Sequence, residues 1–196
     1  MDNSIPVYPG NIEIRQVGGA RVLSGRFPYN SMATVSDRGR VRKERFSSRA
    51  FRFAIESEPE RRIDLLVGHD FNRPVASRSA GTLRLRDTDE GVMFEAELPD
   101  DPPSWVIDAE RAVSAGLMTG ISPGFRVPPQ GVVPGAEQLV AEPGNPGVQI
   151  REVNHAVLRE LSIVTNPAYE ESMVELRSDQ FDVAPDRTEY LRSIWL

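Results

Sequence analysis

Apolar and polar positions alternate most cleanly between Thr82 and Leu98. Thr82 to Arg86 alternates polar and apolar, and Asp87-Thr88-Asp89-Glu90-Gly91 carries turn chemistry. Val92, Phe94, Ala96 and Leu98 then alternate with Glu95 and Glu97. Successive strand side chains point to opposite faces, so this period of two predicts a β-hairpin with one buried face. Ile63 to Val67 is a compact apolar run ending at Gly68-His69, the pattern of a buried strand that delivers His69 to its end. Val22 to Phe27 and Met32 to Val35 read as short strands around a Pro28-Tyr29-Asn30 turn, and Phe46 to Glu56 as a short helix after a strand.

The period changes after Asp100-Asp101-Pro102-Pro103, a helix-start signal. Trp105, Ala109, Ala112 and Val113 follow at helical spacing, which predicts a helix from about Pro103 to Ala115. It leads through Gly116 into Gly120-Ile121-Ser122-Pro123-Gly124-Phe125. Pro128 to Gly147 is rich in proline and glycine and reads as a mobile loop around a short strand. Ile150 to Thr165 reads as one or two strands and Ser172 to Leu176 as another. Arg187 to Leu196 reads as a small amphipathic helix carrying Tyr190, Leu191, Ile194 and Trp195. Strands outnumber helices, so the expected class is β-rich α+β. One domain is expected over 1–177, with a C-terminal tail at 178–196.

Composition narrows the chemistry. The 196 residues can hold one real core, and 39% apolar with 27% charged residues suits a globular protein. No apolar run approaches the roughly 20 residues of a membrane span. Met1 to Gln16 lacks a basic region followed by an apolar core, so secretion is not expected. The net charge of −6 argues against a nucleic-acid partner. The absence of cysteine removes thiol nucleophiles, disulfides and thiolate metal sites. Lys43 is the only lysine and sits in the charged stretch Arg42-Lys43-Glu44-Arg45, which looks solvated. Two histidines, His69 and His155, argue against a histidine-rich metal site, and no metal or cofactor is expected.

A serine nucleophile needs a base and a group that orients the base. Ser122, His69 and Glu160 supply the three residue types, each within or beside an apolar, strand-like run. Singly each has a plain reading: a turn serine, a strand-end histidine, a surface carboxylate near Arg159. Gly120-Ile121-Ser122-Pro123-Gly124 formally matches the nucleophile elbow of α/β-hydrolases. That elbow must turn from strand into helix, and Phe125-Arg126-Val127-Pro128-Pro129 does not start one easily. Its oxyanion hole also uses the N–H after the serine, which Pro123 lacks.

Several segments together resemble the caudovirus prohead serine proteases, the capsid-maturation proteases of tailed bacteriophages. They are Ser24-Gly25-Arg26-Phe27-Pro28-Tyr29-Asn30, Glu44-Arg45-Phe46 with Ala50-Phe51 beyond, and His69-Asp70. Gly120 to Phe125 follows, and then Leu158-Arg159-Glu160-Leu161-Ser162-Ile163-Val164-Thr165-Asn166-Pro167-Ala168-Tyr169. The resemblance covers about residues 20–177. Pro74-Val75-Ala76-Ser77 departs from the usual turn after the histidine, and the Pro128 to Gly147 loop looks expanded.

The resemblance implies a herpesvirus-assemblin-like β-barrel core with a few surrounding helices. It implies a serine endopeptidase inside the phage prohead, within the bacterial cytoplasm, cutting scaffold protein or the scaffold-like segment of the major capsid protein, and itself. A homodimer is plausible by the same analogy. Ser122 would be the nucleophile and His69 the base. The family pattern points to Glu160 as third member, and the herpesvirus relatives' second histidine makes His155 its rival. Residues five apart face opposite sides of an unbroken strand, so both should not face His69. Oxyanion donors are expected from Gly124 N–H or from backbone near Thr165-Asn166. The rival classes are an inactive structural head protein of the same fold and a serine hydrolase that is not a protease.

Overall fold

A computed structural model describes residues 11–17, 20–37 and 40–165. The expected strand Ser172 to Leu176, the helix Arg187 to Leu196 and the tail lie outside the described residues. The strands in chain order are β1 (Asn11–Val17), β2 (Ala20–Pro28), β3 (Ala33–Asp37), β4 (Arg40–Phe46), β5 (Asp64–Val67) and β6 (Asp70–Ser77). They continue with β7 (Leu83–Asp87), β8 (Gly91–Glu97), β9 (Gly120–Arg126), β10 (Glu137–Glu142), β11 (Asn145–Val153) and β12 (Val157–Val164). One α-helix, α1 (Ser104–Ser114), and a π-helical turn, Phe53–Ser57, complete the described elements.

The strands form three four-stranded sheets, ordered β1-β2-β8-β7, β10-β11-β4-β3 and β6-β5-β12-β9. Most pairings are antiparallel; β4 with β11 and β5 with β12 are parallel. The β-rich α+β class holds, but the described sheets are not closed into the expected barrel.

Aromatic rings join the sheets. Phe27 of β2 packs edge-on to Phe46 of β4 at 5.3 Å between centroids, and Phe46 meets Phe125 of β9 edge-on at 4.8 Å. Phe51, beyond β4, lies 5.0 Å from Phe46. Each sheet therefore contributes one ring to a common junction, in the arrangement that aromatic quadrupoles favour. Phe27, Phe46 and Phe51 are buried and Phe125 packs partly buried against them, so this junction holds β9, the strand that carries Ser122, against the other two sheets.

Helix α1 runs where the spacing predicts it. Pro103 caps it in extended backbone, and Gly116 adopts φ +69 just beyond its end. Val106, Ala109 and Val113 form its buried face. Trp105 Nε1 donates to the Pro74 carbonyl at 3.0 Å, which ties the helix to β6. Pro74 to Ser77, which departs from the usual turn after the histidine, lies in the strand β6. Two expectations need correction. The Pro128 to Gly147 segment contains β10 and the start of β11, an ordered hairpin rather than a loop around a short strand. Lys43, Glu44 and Arg45 are not fully solvated, because they lie in the strand β4 against β11. Lys43 pairs with Glu142, Arg45 donates to Glu152 at 2.7 Å, and buried Glu44 accepts from Arg151 at 2.6 Å. Charges exchanged across a sheet can be half-buried at low cost when each finds a partner.

Tyr29, in the β2–β3 turn, is buried and donates its hydroxyl to Asp87 Oδ1 at 2.5 Å while accepting from the Phe51 N–H at 3.2 Å. Burial pushes the Asp87 carboxyl above its usual 3.8, against the opposing effects of the Tyr29 bond and of Arg49, 3.8 Å away. Burial and the same bond push the Tyr29 hydroxyl far upward. A raised carboxyl contributes stability that is complete below its unfolded value and lost as pH rises through its folded value. Asp87→Asn keeps an acceptor for Tyr29 and cannot ionise. In thermal melts its stability relative to wild type should therefore rise as pH goes from near 3.8 toward neutrality; a difference that is flat or falls with pH contradicts the assignment. Tyr29→Phe should destabilise by roughly 1–3 kcal/mol, since Asp87 Oδ1 and the Phe51 N–H both lose their buried hydroxyl partner.

Candidate active site

The site is built on the β6-β5-β12-β9 sheet. Val67 pairs with Asp70, so β5 and β6 are joined by a loop of two residues, Gly68 and His69. Both have φ +60. A two-residue hairpin loop of this hand requires positive φ at both positions, and a non-glycine residue there is uncommon. Strand β12 holds the loop in place: Gly68 N–H donates to the Ile163 carbonyl at 3.0 Å and His69 N–H donates to Ser162 Oγ at 2.9 Å.

Register decides which side chains share a face. Glu160 and Ser162 of β12 stand opposite Gly124 and Ser122 of β9, and beside Asp64 and Leu66 of β5. Paired residues point to the same side of a sheet, and every second residue along each strand joins them. Glu160, Ser162, Ser122 and Asp64 are all buried. The opposite face carries Leu65, Leu161, Ile163 and Ile121, which enter the apolar core. Arg62 donates to one oxygen of Asp64 at 2.8 Å.

His69 Nδ1 lies 2.7 Å from Glu160 Oε1, and Ser162 Oγ donates to Glu160 Oε2 at 2.8 Å. Donor counting assigns the protons. The His69 N–H can only donate, so Ser162 Oγ accepts there and its single proton goes to Glu160. With Glu160 as a carboxylate, His69 carries its proton on Nδ1, and Nε2 is left as the ring acceptor. Nε2 is buried and has no hydrogen-bond partner among the described residues. Such a ring can take up a proton from a group brought to Nε2, with the resulting cation balanced by the carboxylate behind it.

Two neighbours make room for this arrangement. A Cβ on Gly124 would sit 2.1 Å from Glu160 Oε1, so the carboxylate occupies space that only glycine leaves. Pro123 lies on β9, which has β12 as its only sheet partner among the described residues. An edge strand tolerates proline because no neighbouring strand needs its missing N–H. Ser122 lies inside this strand, and no helix follows it directly, so the α/β-hydrolase elbow is absent.

The sequence-derived residues thus divide. His69 and Glu160 are in hydrogen-bond contact, and Ser122 shares their face, across the ladder from Ser162. His155 is exposed between β11 and β12, with its N–H on the Ala136 carbonyl. One strand ends at Val153 and the next begins at Val157, so the unbroken-strand condition on His155 and Glu160 does not apply. Asn166, named with Thr165 as a source of oxyanion donors, lies outside the described residues. Sequence reasoning missed Ser162 and Gly124 as partners of Glu160. Their signal was the polar residue two positions after Glu160, and a glycine two after Ser122 where a strand gains nothing from one.

Gly124→Ala should force Glu160 off His69, because the carboxylate is pinned on both oxygens and buried. Overpacking of this kind costs about 1–3 kcal/mol. Calorimetry should show a lower melting temperature, and a crystal structure of the variant a separated His69–Glu160 pair. An unchanged melting temperature with the pair intact would contradict the close approach.

Among the described residues no group of three or more histidine, aspartate and glutamate side chains is placed to hold a metal ion, and no helix is long and apolar enough to cross a membrane. In comparisons with known proteins, no curated protein and no solved structure matches the chain. The family described as caudovirus prohead serine protease does match, over residues 12–186. That span reaches into all three sheets and includes the His69–Glu160 pair, and the chain accordingly belongs to the caudovirus prohead serine protease family.

Proposed function

We propose that this capsid-maturation protease cuts with Ser122 as nucleophile, His69 as general base and Glu160 as the group that orients the base. The 2.7 Å contact between His69 Nδ1 and Glu160 Oε1, with Nε2 left as acceptor, carries the proposal. Ser122 Oγ attacks the scissile carbonyl as its proton passes to His69 Nε2. His69 then gives that proton to the leaving amine, and water releases the acyl group by the same route in reverse. Glu160 balances the imidazolium in between. His155, exposed between β11 and β12, takes no part in this proposal. Ser122 is fully buried, so its face must open when a peptide is engaged.

The substrates proposed are the scaffold protein or the scaffold-like segment of the major capsid protein, and the protease itself. The place of action is the interior of the prohead in the bacterial cytoplasm. The strand β9, which carries Ser122 and is an edge strand among the described residues, supports a peptide substrate, since an extended chain can add along such an edge.

The test is intact-mass spectrometry after incubation with a fluorophosphonate probe. Wild type should gain one adduct or truncate itself, and Ser122→Ala should do neither. His69→Ala should slow labelling by roughly 10²–10⁴-fold, the usual worth of a general base. His155→Ala should label like wild type. An adduct that persists in Ser122→Ala would refute the nucleophile. Co-expression with the capsid protein tests the substrate: wild type should shorten it, and Ser122→Ala should leave it full length.

A further inference from the structure

Ser162 is a buried hydroxyl between Leu161 and Ile163, in the middle of a strand whose other face is core. A buried hydroxyl is costly unless its bonds are made, and this one makes two of a particular kind. It accepts the N–H of His69 at 2.9 Å and donates to Glu160 Oε2 at 2.8 Å. Together with the 2.7 Å contact from His69 Nδ1 to Glu160 Oε1, the bonds close a ring. His69 is therefore held from both ends: its backbone by Ser162 directly, its imidazole by a carboxylate that Ser162 also holds.

We infer that Ser162 is a positioning residue for the His69–Glu160 pair, and that it fixes the tautomer of His69. The direction of its proton is forced, because the backbone N–H occupies its oxygen as a donor. That proton engages Oε2, and Oε1 faces Nδ1. With Oε2 held by the Ser162 hydroxyl, the carboxylate keeps Oε1 turned to the ring and the ring proton on Nδ1. Its bond to the His69 N–H also secures a residue at φ +60, where a side chain is disfavoured unless its surroundings hold it. With alanine at this position, the His69 N–H and Oε2 both lose their partner. Glu160 is then free to rotate and to meet the ring by other contacts.

The relevance of this to catalysis rests on the roles proposed for Ser122, His69 and Glu160, and the experiment separates the two questions. The full chain is prepared with ¹⁵N-labelled histidine as wild type, Ser162→Ala and Ser162→Thr. With two histidines in the chain, His155→Asn assigns the signals. Long-range ¹H–¹⁵N spectra in alkaline buffer report which ring nitrogen carries the proton, and fluorophosphonate labelling reports Ser122. Wild type should show His69 protonated on Nδ1. Ser162→Ala should show a mixture of tautomers and label roughly 10–100-fold more slowly, the scale expected of a displaced catalytic group. Ser162→Thr retains the hydroxyl and suits a strand, and it should keep the tautomer and label within a few-fold of wild type. A Ser162→Ala protein with the wild-type tautomer overturns the inference, whatever its labelling rate. Equal loss in the alanine and threonine variants overturns it as well, since packing and not the hydroxyl would then be at work. If wild type itself does not label, the nucleophile assignment fails, while the tautomer still decides whether Ser162 holds the pair.

Discussion

A carboxylate buried inside a sheet has to be paired, and Glu160 sets the terms for everything around it. Leaving such a charge without partners costs several kcal/mol. Both of its oxygens are bonded, one to a ring and one to a hydroxyl. The strand opposite yields space by having no side chain at Gly124. The hairpin loop is bent into a left-handed path that presents His69, and β12 secures that path by two hydrogen bonds. Changing any of these partners changes the setting of the carboxylate first and of the histidine next.

The three sheets supply the rigidity that such a pairing needs. The aromatic junction draws one ring from each, and Phe125 brings β9 into it only three residues beyond Ser122. Helix α1 braces the far edge through Trp105 on β6 and through a 2.6 Å ion pair from Arg21 of β2 to Glu110. A site on packed strands is held more tightly than one on loops, and here only His69 stands on a loop, one of the shortest possible.

Much of this was legible in the chain. The β7–β8 hairpin, the helix from Pro103 and the strand ending at His69 all follow from periodicity, because each has one apolar face or one apolar run. The strands β4 and β6 did not show. Lys43, Glu44 and Arg45 look solvated until the acids and bases of β10 and β11 are set beside them, and no local pattern reveals partners about a hundred residues away. Asp70-Phe71-Asn72-Arg73-Pro74 has a turn's composition, and it becomes a strand by pairing with β5 across irregular register. His69 and Glu160 could be named from the sequence, and they meet in the structure. Ser162 could not, because a serine in an apolar run looks like an interruption until its neighbours in space are known.

The parallel pairing of β5 with β12 has a consequence in time. His69 and Glu160 are 91 positions apart in the chain, and β5 waits for β12 as its inner neighbour. Contacts of such long sequence separation form late and slowly, because the intervening chain must be closed into a loop first. A nascent polypeptide halted anywhere before residue 160 holds a histidine with no carboxylate to meet it. The order of synthesis therefore sets the order of assembly: the His69–Glu160 contact is completed only after the 91 positions that separate them have been made.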